Sequence, residues 1–471
     1  MKVLILGAGI TGLSCALKLA ENGIDIEILE EKLYVGGLAA SVKIDGNTFD
    51  YGPHAYHSNT PEVLSQLKKL ADNNFVELKK NVRIKFQGKY YKYPLEATDI
   101  IFKLNPLLAA KCLFDYLFVN IKNSFIKSKI NSTEDWLVSR FGRTLYNIYF
   151  GPYTQKVWGL KPSQMSSLFA QHRIPHTSLI TVAIKSFLTG TKKLTGKEHK
   201  YSPLVIDFFY PKDGAGSIPK RMAKKIFEHN GNIYLNSKII AVNWENNKIK
   251  SVTYKSNKGI IELKSDYFVS TIPITDLLSM FNPPVNHEII SIANETHYRA
   301  IVVVCLLINK PKVFDAEWIY FTNKIFNRLS DIKNCGATNA VKEGKTGLMA
   351  EITCDVGDNI WNADKEFLCQ KVIKELEEEG FINRADVLKY DILKVRNGYP
   401  IYNIDYEVRM DKITKYIENF DNLLISGRQG LFKYVDMDVA MEMGIITAEH
   451  ILNKKSKNEI SWIPFEKKNY A

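Results

Sequence analysis

With 471 residues, 45% of them hydrophobic and 24% charged, the chain can bury a large core but is too long for one compact unit, so two or three interwoven units are expected. An aromatic content of 11% and the lack of low-complexity tracts exclude a disordered chain. The formal charge of +12 comes from dispersed lysines rather than basic blocks, which points away from nucleic acid and reads as a lysine-rich solvated surface, with a general attraction for anionic ligands or anionic membrane faces as the alternative.

In chain order, the first segment reads β-α-β. KVLILGAG is a nearly continuous apolar strand entering glycines, ITGLSCALKLAEN carries apolar residues at helical spacing, and IDIEILEE is a second strand. Apolar strands of this kind suit a parallel sheet covered on both faces. A loop with Gly36-Gly37 and the segment FDYGPHAYH follow, then a helix over 61–73 and a hairpin turning at Gln87-Gly88. Residues 98–188 are mostly helical and rich in aromatics. Strands return near Val205, with a helix over 218–230, the strand NIYL, a hairpin over 238–263 and a further core strand in DYFVSTIP. Residues 298–400 alternate strands with one amphipathic helix over 364–379. The chain closes with the strand NLLISGR and a helix over 438–453.

No stretch reaches about 18 apolar residues, so no spanning helix is expected, and Met1 to Leu6 lacks the features of a signal peptide. The longest candidate, 106–121, is broken by Lys111 and Asp115. The six cysteines show no CxxC pair and no metal-like spacing, which predicts a reduced, cytoplasmic protein without a metal site, with Cys335 and Cys354 as buried bystanders.

Gly7-Ala8-Gly9-Ile10-Thr11-Gly12 fits GxGxxG between an apolar strand and an amphipathic helix, with Glu30 at the end of the next strand. Gly7 permits the tight turn, Gly9 lets the backbone approach a pyrophosphate and Gly12 lets helix and strand pack closely. The helix N-terminus adds free N–H groups and partial positive charge, and Glu30 can accept hydrogen bonds from a ribose. A bound dinucleotide follows.

EEKLYVGGLAAS, from Glu30 and Glu31 through Gly36, Gly37 and Leu38, resembles the second glycine motif of the FAD-dependent amine-oxidase-like superfamily, and DGAGSIPKRMAKKI and DYFVSTIP resemble further elements of it. Four more segments resemble one branch, the UDP-galactopyranose mutases: the Gly-Pro-His stretch around His54, FGRTLYNIYFGPYTQKVWGLKPSQM, the closing GRQG with KYVDMD, and Arg328 with Asn397-Gly398-Tyr399-Pro400. The resemblance implies an α/β fold: a Rossmann-like FAD-binding domain of the GR2 type built from discontinuous segments, with an inserted helical domain and a β-sheet substrate domain. The implied division is 1–80 (opening FAD-binding segment), 81–97 (sheet-domain hairpin), 98–200 (helical insertion), 201–290 (middle FAD-binding segment), 291–415 (substrate sheet) and 416–471 (closing FAD-binding segment).

It also implies a mutase that interconverts pyranose and furanose forms of a nucleotide sugar, a UDP-hexose by default, for surface-glycan biosynthesis. In that family the N5 atom of reduced FAD attacks the anomeric carbon, so an electron donor is needed. Arg173 and Arg328 would flank the diphosphate, Tyr399 and Tyr434 would add hydrogen bonds, and Tyr153 and Trp158 would meet the uridine and sugar. His54 would lie near the flavin, with Arg428 and the helix start at Asp436 and Met437 serving its polar end. The second half of the chain, with WIYF before Arg328 and GDNIW at 357–361, looks closer to longer flavoprotein relatives. An FAD-dependent oxidoreductase of the amine oxidase or protoporphyrinogen oxidase type is therefore the alternative.

Overall fold

The structure is a computed structural model that describes residues 1–58, 60–125, 129–173 and 208–453. Its organising element is a five-stranded, wholly parallel sheet in the order Leu423–Ile425, Tyr267–Ser270, Lys2–Leu6, Asp25–Leu29 and Asn232–Tyr234. Strands remote in sequence meet here, as expected of a domain assembled from separated segments. The helix Ile10–Ala20 packs against both Met437–Leu452 and Ser217–Glu228. Its approach to Met437–Leu452 depends on Gly444, where a Cβ would run into the carbonyl oxygen of Thr11.

A seven-stranded sheet stands beside it. Its order is Val387–Pro400, Tyr298–Ile308, Thr346–Cys354, Arg328–Asp331, Trp318–Phe321, Val82–Phe86 and Lys89–Lys92. The hairpin turning at Gln87-Gly88 is thus the edge of this sheet. Tyr298–Ile308 is buried along its whole length because its two faces serve two cores. Val302, Val304 and Leu306 meet the helix Lys365–Glu378 and its neighbours, while Val303, Cys305 and Leu307 join the main core.

The helical unit comprises Ala97–Lys103, Pro106–Phe125, Thr133–Phe141, Arg143–Leu145, a π-helical turn Tyr146–Phe150, Gly151–Trp158 and Ser167–Arg173. The remainder of the predicted insertion, to residue 200, and the tail beyond residue 453 lie outside the described residues, while the strand expected near Val205 is described from Phe208 to Pro211, paired with Phe75–Leu78.

One expectation needs correction. The stretch 238–263 is not a single hairpin but a three-stranded meander, Lys238–Glu245, Lys248–Ser256 and Gly259–Leu263, extended by Phe281–Asn282. Its first turn is made by Asn246 and Asn247, both at positive φ, a conformation asparagine tolerates. The helices His287–Asn294 and Tyr406–Glu418 were not anticipated.

Candidate functional site

The site begins with the glycine cradle. Gly7 (φ +100°) turns the chain at the end of Lys2–Leu6, and a Cβ on Gly12 would collide with the Gly7 carbonyl oxygen. Gly9 differs, because a Cβ there would meet nothing within 4 Å. It borders open space at the N-terminus of an eleven-residue helix. The second glycine motif touches the first: Gly36 N–H donates to the Ala8 carbonyl at 2.8 Å, and Gly9 and Gly36 form a bridge.

Glu30 does more than the sequence suggested. Its carboxylate accepts from the backbone N–H of Ala8 (2.8 Å) and of Lys32 (2.9 Å), so it braces the cradle. Burial raises its pKa, and those two N–H donors oppose the shift. Ile10 and Thr11 are buried, and Thr11 Oγ1 donates to the Ala440 carbonyl at 2.9 Å. Their side chains therefore face the protein, and only their backbone lies along the cradle. Glu31 is exposed beside Lys32, Gly37 is exposed and Leu38 is half-buried.

Beyond the cradle, side chains from the parallel domain, the seven-stranded sheet and the helical unit meet in one cluster. The π turn and Gly151–Trp158 project Tyr153 and Trp158, and Gly159 (φ +73°) ends the helix in the left-handed region. Such interrupted helices are frequent at functional sites. Trp158 meets Tyr399 and Tyr434 at ring separations of 5.4 and 5.5 Å, and those tyrosines meet each other at 5.3 Å. Tyr153 stacks on Tyr149 and touches Tyr320 edge-on. Lys156 turns the other way, donating to the Phe321 and Phe326 carbonyls at 2.9 and 2.8 Å, and so fastens the helix to the sheet. Its burial lowers its pKa to about 8.

Arg428 lies over Tyr434, 4.3 Å from the ring centroid, and donates to the carbonyls of Gly398 (2.9 Å) and Val435 (3.2 Å). Gln429 donates to the Asn397 carbonyl at 2.6 Å. The Gly398 and Asn397 carbonyls are available because the pairing of Tyr298–Ile308 with Val387–Pro400 shifts register between Arg299 and Ile301. An irregularity of this kind frees backbone groups from the ladder. Asp436 and Met437 are half-buried where the helix Met437–Leu452 begins.

Arg328 is gripped by Glu351, Nε to Oε1 at 2.5 Å and Nη2 to Oε2 at 2.6 Å. Burial opposes its charge, but Glu351 overrides this and raises its pKa. Gly52 rests on the same carboxylate, since a Cβ there (φ +119°) would come within 2.9 Å of Glu351 Oε1. The Gly-Pro-His loop is held from behind by a second chain of contacts. Asp50 accepts from Tyr210 Oη (2.5 Å) and Ala215 N–H (3.0 Å), and His54 N–H donates to Tyr210 Oη (3.3 Å). The pKa of His54 falls to about 3, first through burial and then through the fields of Arg328 and Arg428.

The structure therefore brings His54, Tyr153, Trp158, Arg328, Tyr399, Arg428, Tyr434 and Asp436 to one region. The side chain of Arg173, at the end of Ser167–Arg173, lies outside the described residues. Glu351, Tyr320 and Asp50 were missed. A lone glutamate inside the apolar strand TGLMAEITC was the available signal for Glu351. Among the described residues no group of His, Cys, Asp or Glu is placed to hold a metal ion, and the six cysteines are buried.

Comparison with known proteins gives the family and the fold. The sequence pattern of the flavin containing amine oxidoreductases matches residues 10–452. A probable UDP-galactopyranose mutase of Klebsiella pneumoniae is 26% identical over 35% of this chain and 42% of its own length. A dTDP-fucopyranose mutase of Escherichia coli is 27% identical over 35% and 43%. The chain thus matches less than half the length of these curated relatives. Among solved structures, a reduced UDP-galactopyranose mutase superposes with a TM-score of 0.81 at 22% identity, covering 97% of this chain and 96% of the other. A putative protoporphyrinogen oxidase of Exiguobacterium sp. 255-15 follows at 0.71 and 17%, covering 96% and 99%. The flavin of this family fits the cradle: the open space at Gly9 and the helix N-terminus behind it suit a phosphate.

Proposed function

The chain belongs to the flavin containing amine oxidoreductase family, and within it we propose that it is an FAD-dependent nucleotide-sugar mutase. It would interconvert pyranose and furanose forms of a nucleotide-activated hexose, UDP-galactose by default, for surface-glycan synthesis. The observation that carries this reading is the guanidinium of Arg328, held by Glu351 in the same cluster as His54, Tyr399 and Arg428. A fixed, planar guanidinium suits a diphosphate better than it suits a protonated amine.

In this reading the backbone of Gly7, Gly9, Ile10, Thr11 and Gly12 holds the FAD diphosphate. Gly36, Gly37 and Leu38 continue the cradle, while Glu30, flanked by Glu31, faces the ribose. Arg428 and the helix start at Asp436 and Met437 face the polar end of the flavin. Reduced FAD supplies the nucleophile for the anomeric carbon, with no net redox change, so an external electron donor is required. Arg328, oriented by Glu351, and Arg173 bind the sugar's diphosphate, which is also the leaving group. The hydroxyls of Tyr399 and Tyr434 hydrogen-bond to it without adding charge. Tyr153 and Trp158 pack against uridine and sugar. His54, neutral at working pH, packs beside the flavin without adding a third positive charge.

The test is anaerobic incubation of the dithionite-reduced holoprotein with UDP-galactofuranose, followed by chromatography of the nucleotide sugars. UDP-galactopyranose should form only with the reduced protein. The reading fails if no UDP- or dTDP-hexose is converted while the oxidised protein consumes an amine or a porphyrinogen. That second outcome would establish the other reading, oxidation of a C–N or C–C bond with electrons passed to oxygen or a carrier, which the family's amine oxidoreductases favour.

A further inference from the structure

The helical unit turns an apolar face outward. Phe102, at the end of Ala97–Lys103, and Leu107, Phe114, Phe118, Ile121 and Phe125, on Pro106–Phe125, each keep between 60% and 83% of their surface exposed. At about 100° per residue, the five on the long helix fall on one stripe roughly 60° wide. The opposite side of that helix, carrying Ala109, Cys112 and Tyr116, is buried against the rest of the unit. This helix is apolar on two sides, and only one is covered among the described residues. Six side chains of this size expose on the order of 700 Å², more than the largest patch on an ordinary monomer, roughly 300–600 Å².

The charges around the stripe decide what covers it. Lys111 and Lys122, about three turns apart, lie along the same edge, next to Phe118 and Phe125, and Lys129 follows the helix. The nearby acids face inward. Asp115 accepts from the Thr144 N–H at 2.8 Å and from its hydroxyl, and Asp99 is buried and paired with Lys103 at 2.8 Å. A second copy packed with its long helix antiparallel to this one, about a two-fold axis lying along the lysine edge, would bring the lysine edges together with no carboxylate between them. An anionic surface meets no such repulsion.

We propose that the face formed by Ala97–Lys103 and Pro106–Phe125 is a peripheral membrane-binding surface for the anionic leaflet of a lipid bilayer. The long helix lies in the plane of the interface. Its phenylalanines, leucine and isoleucine enter the boundary between headgroups and acyl chains, and Lys111 and Lys122 extend to lipid phosphates. No helix among the described residues is long and apolar enough to cross a membrane, so this contact is peripheral. The proposal is independent of the reaction catalysed.

Flotation of the full-length holoprotein with vesicles tests it. Vesicles of phosphatidylcholine containing roughly 30% phosphatidylglycerol should carry the protein upward, at least tenfold more than pure phosphatidylcholine vesicles, and high salt should weaken the effect. The double variant Phe114→Ser/Phe118→Ser should lose binding at least tenfold while keeping the wild-type flavin spectrum and melting temperature, because both side chains are exposed. Lys111→Glu/Lys122→Glu should lose the preference for anionic vesicles. Equal flotation of wild type and both double variants would overturn the proposal. So would failure of the wild type to float, including the case where sedimentation shows a dimer that Phe114→Ser/Phe118→Ser dissociates.

Discussion

Glu351 grips Arg328 through both carboxylate oxygens, and its own side chain is completely buried. A buried pair of this kind contributes little net stability, but breaking it on one side is costly. Glu351→Ala would strand the guanidinium, so a loss of about 3–5 kcal/mol in a urea titration is expected. Glu351→Gln keeps the shape and one acceptor and should lose less. If Arg328 binds the nucleotide diphosphate, Glu351→Gln will also weaken UDP binding to the reduced protein, because the fork is no longer held in place. Arg328→Lys should weaken UDP binding as well, since an ammonium cannot replace the planar fork. Unchanged UDP affinity in both variants would confine the pair to a structural role.

The low pKa of His54 sets a pH window for stability. Burial and the two arginines lower it from 6.5 to about 3 in the folded protein. Between those values the unfolded chain binds a proton that the native site refuses, so stability falls as pH drops from 6.5 towards 3. The slope from one such group is about 1.4 kcal/mol per pH unit. Glu317 acts in the opposite sense, because burial raises its pKa from 4.5 to about 7 and favours the fold at the acidic end of that range. Between pH 7 and pH 4.5 the urea midpoint of the wild type should therefore fall relative to that of His54→Gln. Parallel curves would show that His54 protonates freely in the folded state.

Arg428 joins two segments that are distant in sequence. Its guanidinium serves the carbonyls of Gly398 and Val435 while lying on Tyr434. Arg428→Met keeps much of the volume and removes both donors. A loss of about 2–3 kcal/mol is expected, with faster amide exchange confined to residues 397–400 and 427–438. Uniform acceleration across the molecule would mean that the arginine supports the whole fold rather than this junction.

The cradle and the parallel strands were legible because their physics is local. An apolar run, glycines at fixed offsets and an acid at the end of the next strand are contiguous in the chain. Trp158, Tyr399 and Tyr434 were found only through family resemblance, since nothing near Tyr399 announces that it will meet a tryptophan from another unit. Glu351 was missed for a related reason: its partner lies across the sheet on Arg328–Asp331, and a single glutamate in a strand does not say whether it faces water or a guanidinium. The meander over 238–263 was misread because Asn246 and Asn247 turn the chain without a glycine. The outward face of Pro106–Phe125 was not anticipated, because periodicity identifies an apolar side without saying what covers it.

Gly9 and Gly12 stand three residues apart in one motif, yet substitution should affect them in opposite ways. Gly9 has an ordinary extended backbone (φ −72°, ψ 177°), and a Cβ there meets nothing within 4 Å. Gly9→Ala should leave the melting temperature of the apoprotein unchanged. The new methyl would stand where the cradle is open, so FAD affinity should fall at least tenfold, about 1.4 kcal/mol or more. Gly12→Ala drives a methyl into the Gly7 carbonyl oxygen, which is backbone and cannot swing aside. That variant should lose about 2 kcal/mol or more of apoprotein stability through overpacking, with FAD binding falling as a consequence of the distorted turn. Apoprotein melting curves and FAD titrations of the two variants separate the roles. Full FAD affinity in Gly9→Ala would mean that the phosphates do not approach the backbone at this glycine.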